Sequence, residues 1–266
     1  MANHQKNYRQ KNEQQSEDLN KDIILGRNAV TEALKAGRTI NRLLIAEGSR
    51  DGSIQKLIAI AKDSQIVIES VSRDRLDKIA ENKHHQGVIA YSAPVEYSTL
   101  EEILQVAEYR NEPPFILLLD ELEDPHNFGA ILRTADAVGV HGVLIPKRRS
   151  VSLNSTVAKT SAGAIEYVKV VQINNVAQTL EQLKELRFIV IGSDVDGIDL
   201  FDEINHIDFS DPIILIIGNE GKGMRRLTKE KCDFLVRIPM VGKINSLNAS
   251  VAAAILMYEV FHQRNK

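Results

Sequence analysis

Short, uninterrupted apolar runs recur in the second half of the chain, and they constrain its fold more than any other feature. Segments with the spacing of amphipathic helices lie between these runs. The predicted strands cover residues 115–119, 142–145, 167–171, 188–192, 212–217 and 234–238, and the predicted helices cover residues 128–138, 176–186, 223–229 and 247–266. Strands that are apolar on both faces and alternate with helices indicate an α/β fold with a parallel sheet covered on both sides.

A smaller α/β block precedes this region. Apolar runs and helical segments also alternate within residues 22–93, and Asn28 can cap the first helix. The predicted strands of this block cover residues 42–46, 65–71 and 87–91. Its length is typical of a small independent domain.

The remaining segments flank these two blocks. Residues 1–21 are rich in Asn, Gln and charged side chains, so we predict a disordered tail. Residues 94–114 hold Pro94, a polar helical stretch and a final pair of prolines, which is typical of an inter-domain linker. The second predicted domain is then residues 115–266.

Charge and cysteine content exclude several functions. The 266 residues include 33 basic and 36 acidic side chains, a net charge of -3, so a nucleic acid would have to bind at a local basic patch. Cys232 is the single cysteine, which excludes intrachain disulfides and multi-cysteine metal sites. The histidines lack metal-ligand spacing, and no secretory or membrane-spanning segment is legible. We therefore expect a cytoplasmic protein without a metal.

The first loop that could carry catalytic residues follows the apolar run at residues 115–119. It leads into a helix whose apolar residues form one stripe, and Arg133 lies opposite the centre of that stripe. Asn127 stands in the first turn of the same helix. A solvated arginine and a capping asparagine would give the same pattern.

The second loop, at residues 218–224, holds three glycines and Glu220. Its order differs from the GxGxxG motif of dinucleotide-binding proteins and from the phosphate-binding GxxxxGK[ST] motif. A carboxylate in the turn favours a neutral or cationic ligand over a polyphosphate. An ordinary surface turn in which Glu220 lies near a helix start is the alternative.

The third loop, at residues 238–248, leads into the last helix. Ser246, Asn248 and Ser250 are ordinary capping residues. The alanines that follow allow a close backbone approach, which suits a tightly packed interior or a self-association face.

Lys147, Arg148 and Arg149 form the sharpest basic run in the chain. They could contact phosphate groups or form a solvated loop. Aromatic residues make up 5% of the chain and Trp is absent, so a base-stacking platform is poorly supported.

Together, the three loops resemble the signature motifs of a known family. The runs NFGAILRTADAVG, IIGNEGKGM and IPMVGKINSLNASVAAAI, in this order and spacing, resemble those of the SpoU-type RNA 2′-O-ribose methyltransferases of the SPOUT class. The segment ILGRNAVTEAL looks like the start of the small substrate-recognition domain of the RlmB subgroup. That subgroup methylates a guanosine in the peptidyl-transferase loop of 23S ribosomal RNA.

This resemblance implies a fold and its partners. It implies a Rossmann-like sheet with a deep trefoil knot, S-adenosyl-L-methionine (AdoMet) bound in the knot, and a homodimer formed through the C-terminal domain. It also implies catalytic residues at Asn127, Arg133, Glu220, Ser246 and Asn248, and cofactor-binding residues at Gly218, Asn219, Ile238, Met240 and Leu247.

We assign roles from the resemblance and the loop positions. Arg133 is expected to hold the target phosphate and to stabilise the charge that develops on the ribose oxygen. Asn127 would position Arg133 or the ribose, and Glu220 would orient Arg133 or anchor its loop. Ser246 and Asn248 would position substrate and cofactor. The predicted RNA contacts are Arg38, Arg42, Arg50 and Lys83 in the small domain and Lys147, Arg148 and Arg149 near the active site.

Three alternatives remain at this point. The same chemistry could act on transfer RNA, although the small N-terminal domain favours a ribosomal substrate. A non-catalytic RNA-binding protein of ribosome assembly would not need the complete set Asn127, Arg133, Glu220 and Asn248. An NAD-dependent dehydrogenase is disfavoured because GxGxxG is missing after the first strand of the second domain.

Overall fold

The computed structural model describes residues 22–49, 51–81, 84–93, 95–201, 207–243 and 246–266. The predicted disordered tail at residues 1–21 lies outside them. The chain divides into two compact units, an N-terminal unit (Met1–Val95) and a C-terminal unit (Glu96–Lys266).

The N-terminal unit contains a mixed four-stranded sheet. Its elements are β1 (Asp22–Leu25), α1 (Arg27–Lys35), β2 (Ile40–Ala46), α2 (Gly52–Asp63), β3 (Val67–Val71), α3 (Arg73–Ile79) and β4 (Val88–Ser92). The strand order is β1-β4-β2-β3, with β2 and β3 parallel and the other pairs antiparallel. Alternate residues of β2 pack on opposite faces: Leu43 joins the core with α1 and α2, and Leu44 joins the core with α3.

The C-terminal unit contains a six-stranded sheet. Its strands are β5 (Phe115–Leu119), β6 (Gly142–Pro146), β7 (Lys169–Ile173), β8 (Ile189–Asp199), β9 (Ile213–Ile217) and β10 (Phe234–Arg237). Its helices are α4 (Leu100–Arg110), α5 (Pro125–Ala137), α6 (Ser155–Thr160), α7 (Val176–Glu185), α8 (Arg226–Lys229) and α9 (Ala249–Arg264).

The strand order of this sheet is β10-β8-β9-β5-β6-β7, and every neighbouring pair is parallel. Every residue of β5, β6 and β9 is buried. Apolar side chains on both faces therefore pack against other elements, which confirms the predicted parallel α/β sheet. The trefoil knot stays a prediction.

Residues 96–114 differ from the predicted linker, because they belong to the C-terminal unit. Thr99 and Glu102 form a capping box at the start of α4. Ile103 and Ala107 on one side of this helix are buried, and Ile103 packs in the core beside β5 and β6. Leu100 and Leu104 are partly buried and pack against the same core, so one apolar side of the helix docks it.

Some predicted boundaries also shift. The apolar run of β8 stops at Gly192, yet the strand continues to Asp199 because Ile198 and Asp199 pair with β10. The helix predicted at residues 223–229 forms only at Arg226–Lys229, since the preceding residues belong to a tight turn.

Candidate active site

Two of the three candidate loops begin side by side at the carboxyl end of the C-terminal sheet. The last residues of β5 and β9, Leu119 and Ile217, are register partners, and the amide of Asp120 donates to the carbonyl oxygen of Ile217 at 2.8 Å. The loop that enters α5 and the turn at residues 218–224, which we call the Glu220 turn, therefore start as neighbours. Open parallel sheets place their ligand sites at this end.

One carboxylate joins all three motifs. Glu220 Oε1 accepts hydrogen bonds from Asn127 Nδ2 at 2.6 Å, from Asn248 Nδ2 at 3.0 Å and from the amide of Ala249 at 3.0 Å. Asn248 Nδ2 also donates to Asn127 Oδ1 at 3.0 Å. We call Asn127, Glu220 and Asn248 the Glu220 cluster. It ties the first turn of α5 to the start of α9.

Local structure explains why these side chains meet. Asp124 caps α5, and Pro125 occupies its first turn. Asn127 lies in the same first turn and is buried. At the other end, Asn248 Oδ1 caps α9 by accepting from the amides of Ser250 and Val251. The start of each helix thus positions its asparagine to bond to Glu220.

The Glu220 turn is closed by its own backbone. Asn219 and Gly223 exchange amide-to-carbonyl hydrogen bonds at 3.1 and 2.8 Å, and Glu220 stands between them. A Cβ atom at Gly218 would collide with the amide nitrogen of Met224 and lie 2.5 Å from the carbonyl carbon of Gly223. Glycine is therefore required at residue 218 for the two sides of the turn to approach each other.

Arg133 lies on the exposed side of α5. Phe128, Ile131, Leu132 and Ala135 are fully buried on the other side, as the apolar stripe predicted. The Arg133 guanidinium makes no hydrogen bond or ion pair with any other residue that the structure describes. Glu220 and Asn127 bond to each other and to Asn248 rather than to Arg133, so this arginine is available to a ligand.

The other predicted site residues have varied exposure. Ser246 and Met240 are exposed, whereas Gly218, Asn219, Ile238 and Leu247 are partly buried. Asn219 Nδ2 donates to the carbonyl oxygen of Glu121 at 3.0 Å, and its Oδ1 accepts from the amides of Gly221 and Lys222. Asn219 thus shapes the turn through its side chain.

The predicted basic residues divide into two groups. Lys147, Arg148 and Arg149 are exposed and directly follow β6, at the same end of the sheet as the Glu220 cluster. In the N-terminal unit, Arg38 donates twice to the carbonyl oxygen of Ala93, and Arg42 stacks 4.7 Å from the centre of the Tyr91 ring.

Both of these N-terminal arginines therefore take part in contacts within their own unit. Arg50 and Lys83, the other two predicted contacts there, lie outside the described residues.

Two protein-family models match this chain. Residues 114–258 match the model described as the SpoU rRNA Methylase family, and residues 23–98 match the model for RNA 2′-O ribose methyltransferase substrate binding. The chain belongs to the SpoU rRNA methylase family. The resemblance that the three sequence motifs predicted is thus confirmed, and the second match falls on the N-terminal unit of this SpoU protein.

Relatives of this SpoU protein cover nearly all of it. YacO of Bacillus subtilis (strain 168), assigned to the TrmH family of tRNA/rRNA methyltransferases, is 51% identical over 92% of this chain and 96% of its own. The SpoU methyltransferase AviRb from Streptomyces viridochromogenes, solved in complex with AdoMet, aligns with a TM-score of 0.77 and 25% identity, over 94% of this chain and 92% of its own. A solved RNA 2′-O ribose methyltransferase aligns with a TM-score of 0.76 and 27% identity, over 94% and 91%.

Sequence reasoning missed an ion pair beside the site. Asp120 is fully buried at the end of β5, and its carboxylate accepts from the backbone amide of Arg225 at 3.0 Å and from Arg225 Nε at 2.8 Å. Arg225 Nη2 lies 2.6 Å from the same carboxylate. An aspartate directly after a buried strand and an arginine directly after a glycine-rich turn were the available signals.

Among the residues that the structure describes, no three His, Cys, Asp or Glu side chains are grouped so as to hold a metal ion. None of their helices combines the length and the apolar character needed to cross a membrane.

Proposed function

We propose that this SpoU protein transfers a methyl group from AdoMet to the 2′-oxygen of a ribose in RNA. The observation that carries the proposal is the junction of the three family motifs at Glu220, with the exposed Arg133 on the same helix as Asn127. Side chains 121 residues apart in sequence, those of Asn127 and Asn248, share a hydrogen bond there. Such convergence at the carboxyl end of a parallel sheet is typical of a catalytic site.

The Glu220 turn fits AdoMet better than it fits a phosphate-bearing cofactor. Asn219 already accepts the hydrogen bonds of the amides of Gly221, Lys222 and Gly223, so these N–H groups cannot cradle a phosphate. AdoMet is a sulfonium cation that supplies an electrophilic methyl group. Gly218, Asn219, Ile238, Met240 and Leu247 would hold it, largely through backbone groups.

Arg133 would act on the RNA. A charged guanidinium has five N–H donors and no acceptor, so it cannot take the hydroxyl proton. Arg133 instead binds the phosphate beside the target ribose and stabilises the negative charge that develops on the 2′-oxygen. The 2′-hydroxyl proton would pass to an oxygen of this phosphate.

The Glu220 cluster would hold the site in shape. By accepting from both asparagine amides, Glu220 fixes the first turn of α5, and Arg133 with it, relative to the start of α9. Fixed distances between reacting groups are a major source of rate enhancement. Ser246 and Asn248, at the end of the third motif, would position substrate and cofactor.

The substrate would be a guanosine in the peptidyl-transferase loop of 23S ribosomal RNA, in the cytoplasm. The substrate-binding model matches residues 23–98, so a recognition domain accompanies the methylase domain. The exposed run Lys147, Arg148 and Arg149 would contact RNA phosphates near the reacting ribose, and binding should weaken as salt rises.

A homodimer would form through α9. Val251, Tyr258 and Phe261 are exposed on this helix at spacings of seven and three residues, so they lie along one side of it. An exposed apolar stripe of this kind suits packing against a second copy. Analytical ultracentrifugation should show a dimer, and Tyr258→Glu should shift it towards monomer.

A labelled-methyl assay tests the proposed activity. Purified protein is incubated with AdoMet carrying a radiolabelled methyl group and, separately, with a 23S RNA fragment that contains the peptidyl-transferase loop and with bulk tRNA. We expect label in the 23S fragment at one guanosine, with resistance to alkaline cleavage after that nucleotide. Label confined to tRNA would assign the other substrate, and AdoMet binding without transfer to either RNA would contradict catalysis.

A further inference from the structure

We propose that Asp120 and Arg225 form a positioning pair. Their contacts hold the Glu220 turn in the position at which Glu220 bonds to Asn127 and Asn248. The proposal rests on the proposed function, because it assigns to the pair a role in the same site. Neither residue needs to touch RNA or AdoMet to have this role.

The carboxylate of Asp120 has its partners on Arg225, the residue directly after the Glu220 turn. Its side chain is fully buried, and a buried carboxylate is stable only with charged or hydrogen-bonding partners. Arg225 supplies three: its backbone amide to one oxygen, and Nε and Nη2 to the other, all at 2.6–3.0 Å. Because the backbone amide takes part, the contact fixes the main chain directly after Met224 as well as the side chain.

The opposite side of the turn is fixed by the next residue of the same loop. Asn219 Nδ2 donates to the carbonyl oxygen of Glu121 at 3.0 Å. Glu121 also lies 3.8 Å from Arg225 Nε. Two consecutive residues after β5 therefore bind both ends of the Glu220 turn, and Glu220 is carried between the two attachments.

The neighbouring Arg226 provides a matched control. Its side chain is 82% exposed and pairs with Glu230 one helical turn away. Arg225 and Arg226 thus have the same charge and adjacent positions, but only Arg225 contacts the buried carboxylate. A general loss of positive charge would affect both variants equally.

We expect Arg225→Ala to lower kcat for methyl transfer by about tenfold to a hundredfold, with a much smaller change in the KM for RNA, because a displacement of about 1 Å costs up to this much. Arg226→Ala should stay within about twofold of the wild type. Arg225→Lys should recover part of the loss, since it keeps the charge and the backbone amide contact but lacks the pair of N–H groups, Nε and Nη2, that meets one Asp120 oxygen.

A second readout does not depend on activity. In the wild type, the amide of Ala249 donates to Glu220 at 3.0 Å, so we expect this bond to protect it from hydrogen exchange. Arg225→Ala should speed exchange at Ala249, and Arg226→Ala should leave it unchanged. If Arg225→Ala does not fold, Arg225→Lys against Arg226→Lys makes the same comparison.

A double-mutant cycle shows whether Arg225 acts through Glu220. In the Glu220→Ala background, Arg225→Ala should cause little further loss of kcat, because the group that it positions is already gone. Equal loss in both backgrounds, or unchanged exchange at Ala249, would overturn the positioning pair. The wild type could transfer no methyl group while Arg225→Ala still speeds hydrogen exchange at the Ala249 amide. This result would overturn the proposed function and uphold the positioning pair.

Discussion

The two ends of the six-stranded sheet are built differently. At the carboxyl ends of the strands, side chains bond to other side chains, as in the Glu220 cluster, and Arg133 is exposed beside them. At the amino ends, side chains bond mainly to the backbone. Arg264 on α9 donates to the carbonyl oxygens of Phe209, Asp211, Pro113 and Pro114, and it stacks 5.4 Å from the Phe115 ring centre.

We infer from this difference that side chains at the carboxyl ends serve methyl transfer and that side chains at the amino ends serve stability. The partly buried Arg264 cation satisfies several backbone carbonyl oxygens at the amino ends at once. Burial lowers the pKa of Arg264 to about 10, which still leaves it charged at neutral pH. The carboxyl ends instead leave polar side chains within reach of a ligand. Variants at the amino ends should therefore change stability, and variants at the carboxyl ends should change turnover.

Arg133→Ala should have the largest effect, and it should act on methyl transfer to RNA without changing AdoMet affinity or stability. Loss of the exposed guanidinium removes charge stabilisation at the reacting oxygen, and we expect kcat to fall by about a hundredfold to a thousandfold. Steady-state kinetics, with AdoMet Kd from calorimetry and Tm from thermal unfolding, measures this. Near-wild-type turnover, or an equal loss of AdoMet affinity, would contradict the role of Arg133.

Arg264→Ala should lower stability and leave turnover unchanged. It removes the hydrogen bonds to four carbonyl oxygens and the contact with Phe115, so we expect a loss of about 2–3 kcal/mol in the free energy of unfolding. Urea denaturation gives this value, and kcat measured well below the new Tm should remain close to that of the wild type. A large fall in the kcat of the fully folded variant would contradict the proposal that the amino ends serve stability and the carboxyl ends serve turnover.

Replacement of Lys147, Arg148 and Arg149 together by alanine should have a smaller effect, confined to RNA. We expect the KM for RNA to rise about tenfold, with a shallower dependence of binding on salt concentration, because fewer counterions are released. AdoMet affinity should not change. An unchanged salt slope would show that the run is a solvated loop.

His141 should give the smallest effect, a pH dependence of stability. Its Nδ1 accepts from the amide of Phe115 at 2.9 Å, and its Nε2 lies 3.0 Å from Glu112. Burial lowers the pKa of His141 below its ordinary value of 6.5, although Glu112 opposes this shift. Protonation would place a hydrogen on Nδ1 and remove the acceptor for Phe115.

The sign of this effect follows from the lowered pKa. The unfolded chain binds the proton more readily, so the contribution is complete above about pH 6.5 and is lost as the pH falls through the folded-state pKa. Urea midpoints from about pH 7 to about pH 5 should decline more steeply for the wild type than for His141→Asn. Parallel declines would contradict this role for His141.

Much of the fold could be predicted because it depends on local patterns. The apolar runs of β5 and β9 and the stripe on α5 each carry their signal within a few residues, and they predicted the parallel sheet and the exposure of Arg133. The capping box and the apolar positions of α4 also lie in the sequence, but its many polar residues and the flanking prolines resemble a linker.

The contacts of the site could not be predicted in the same way. Asp120 and Arg225 are 105 residues apart, and nothing local shows that they meet. The same holds for Glu220, whose partners come from both other motifs. Arg38 and Arg42 look like free cations in sequence, yet the structure engages both within the N-terminal unit.

A map of ribose methylation tests the central proposal most directly. Ribosomal and transfer RNA would be compared from cells with the wild-type gene, with the gene deleted and with Arg133→Ala expressed at the wild-type level. We predict that one 2′-O-methylguanosine in the peptidyl-transferase loop of 23S RNA disappears in the latter two strains. A map that is unchanged by deletion, or a site that Arg133→Ala still methylates fully, would contradict it.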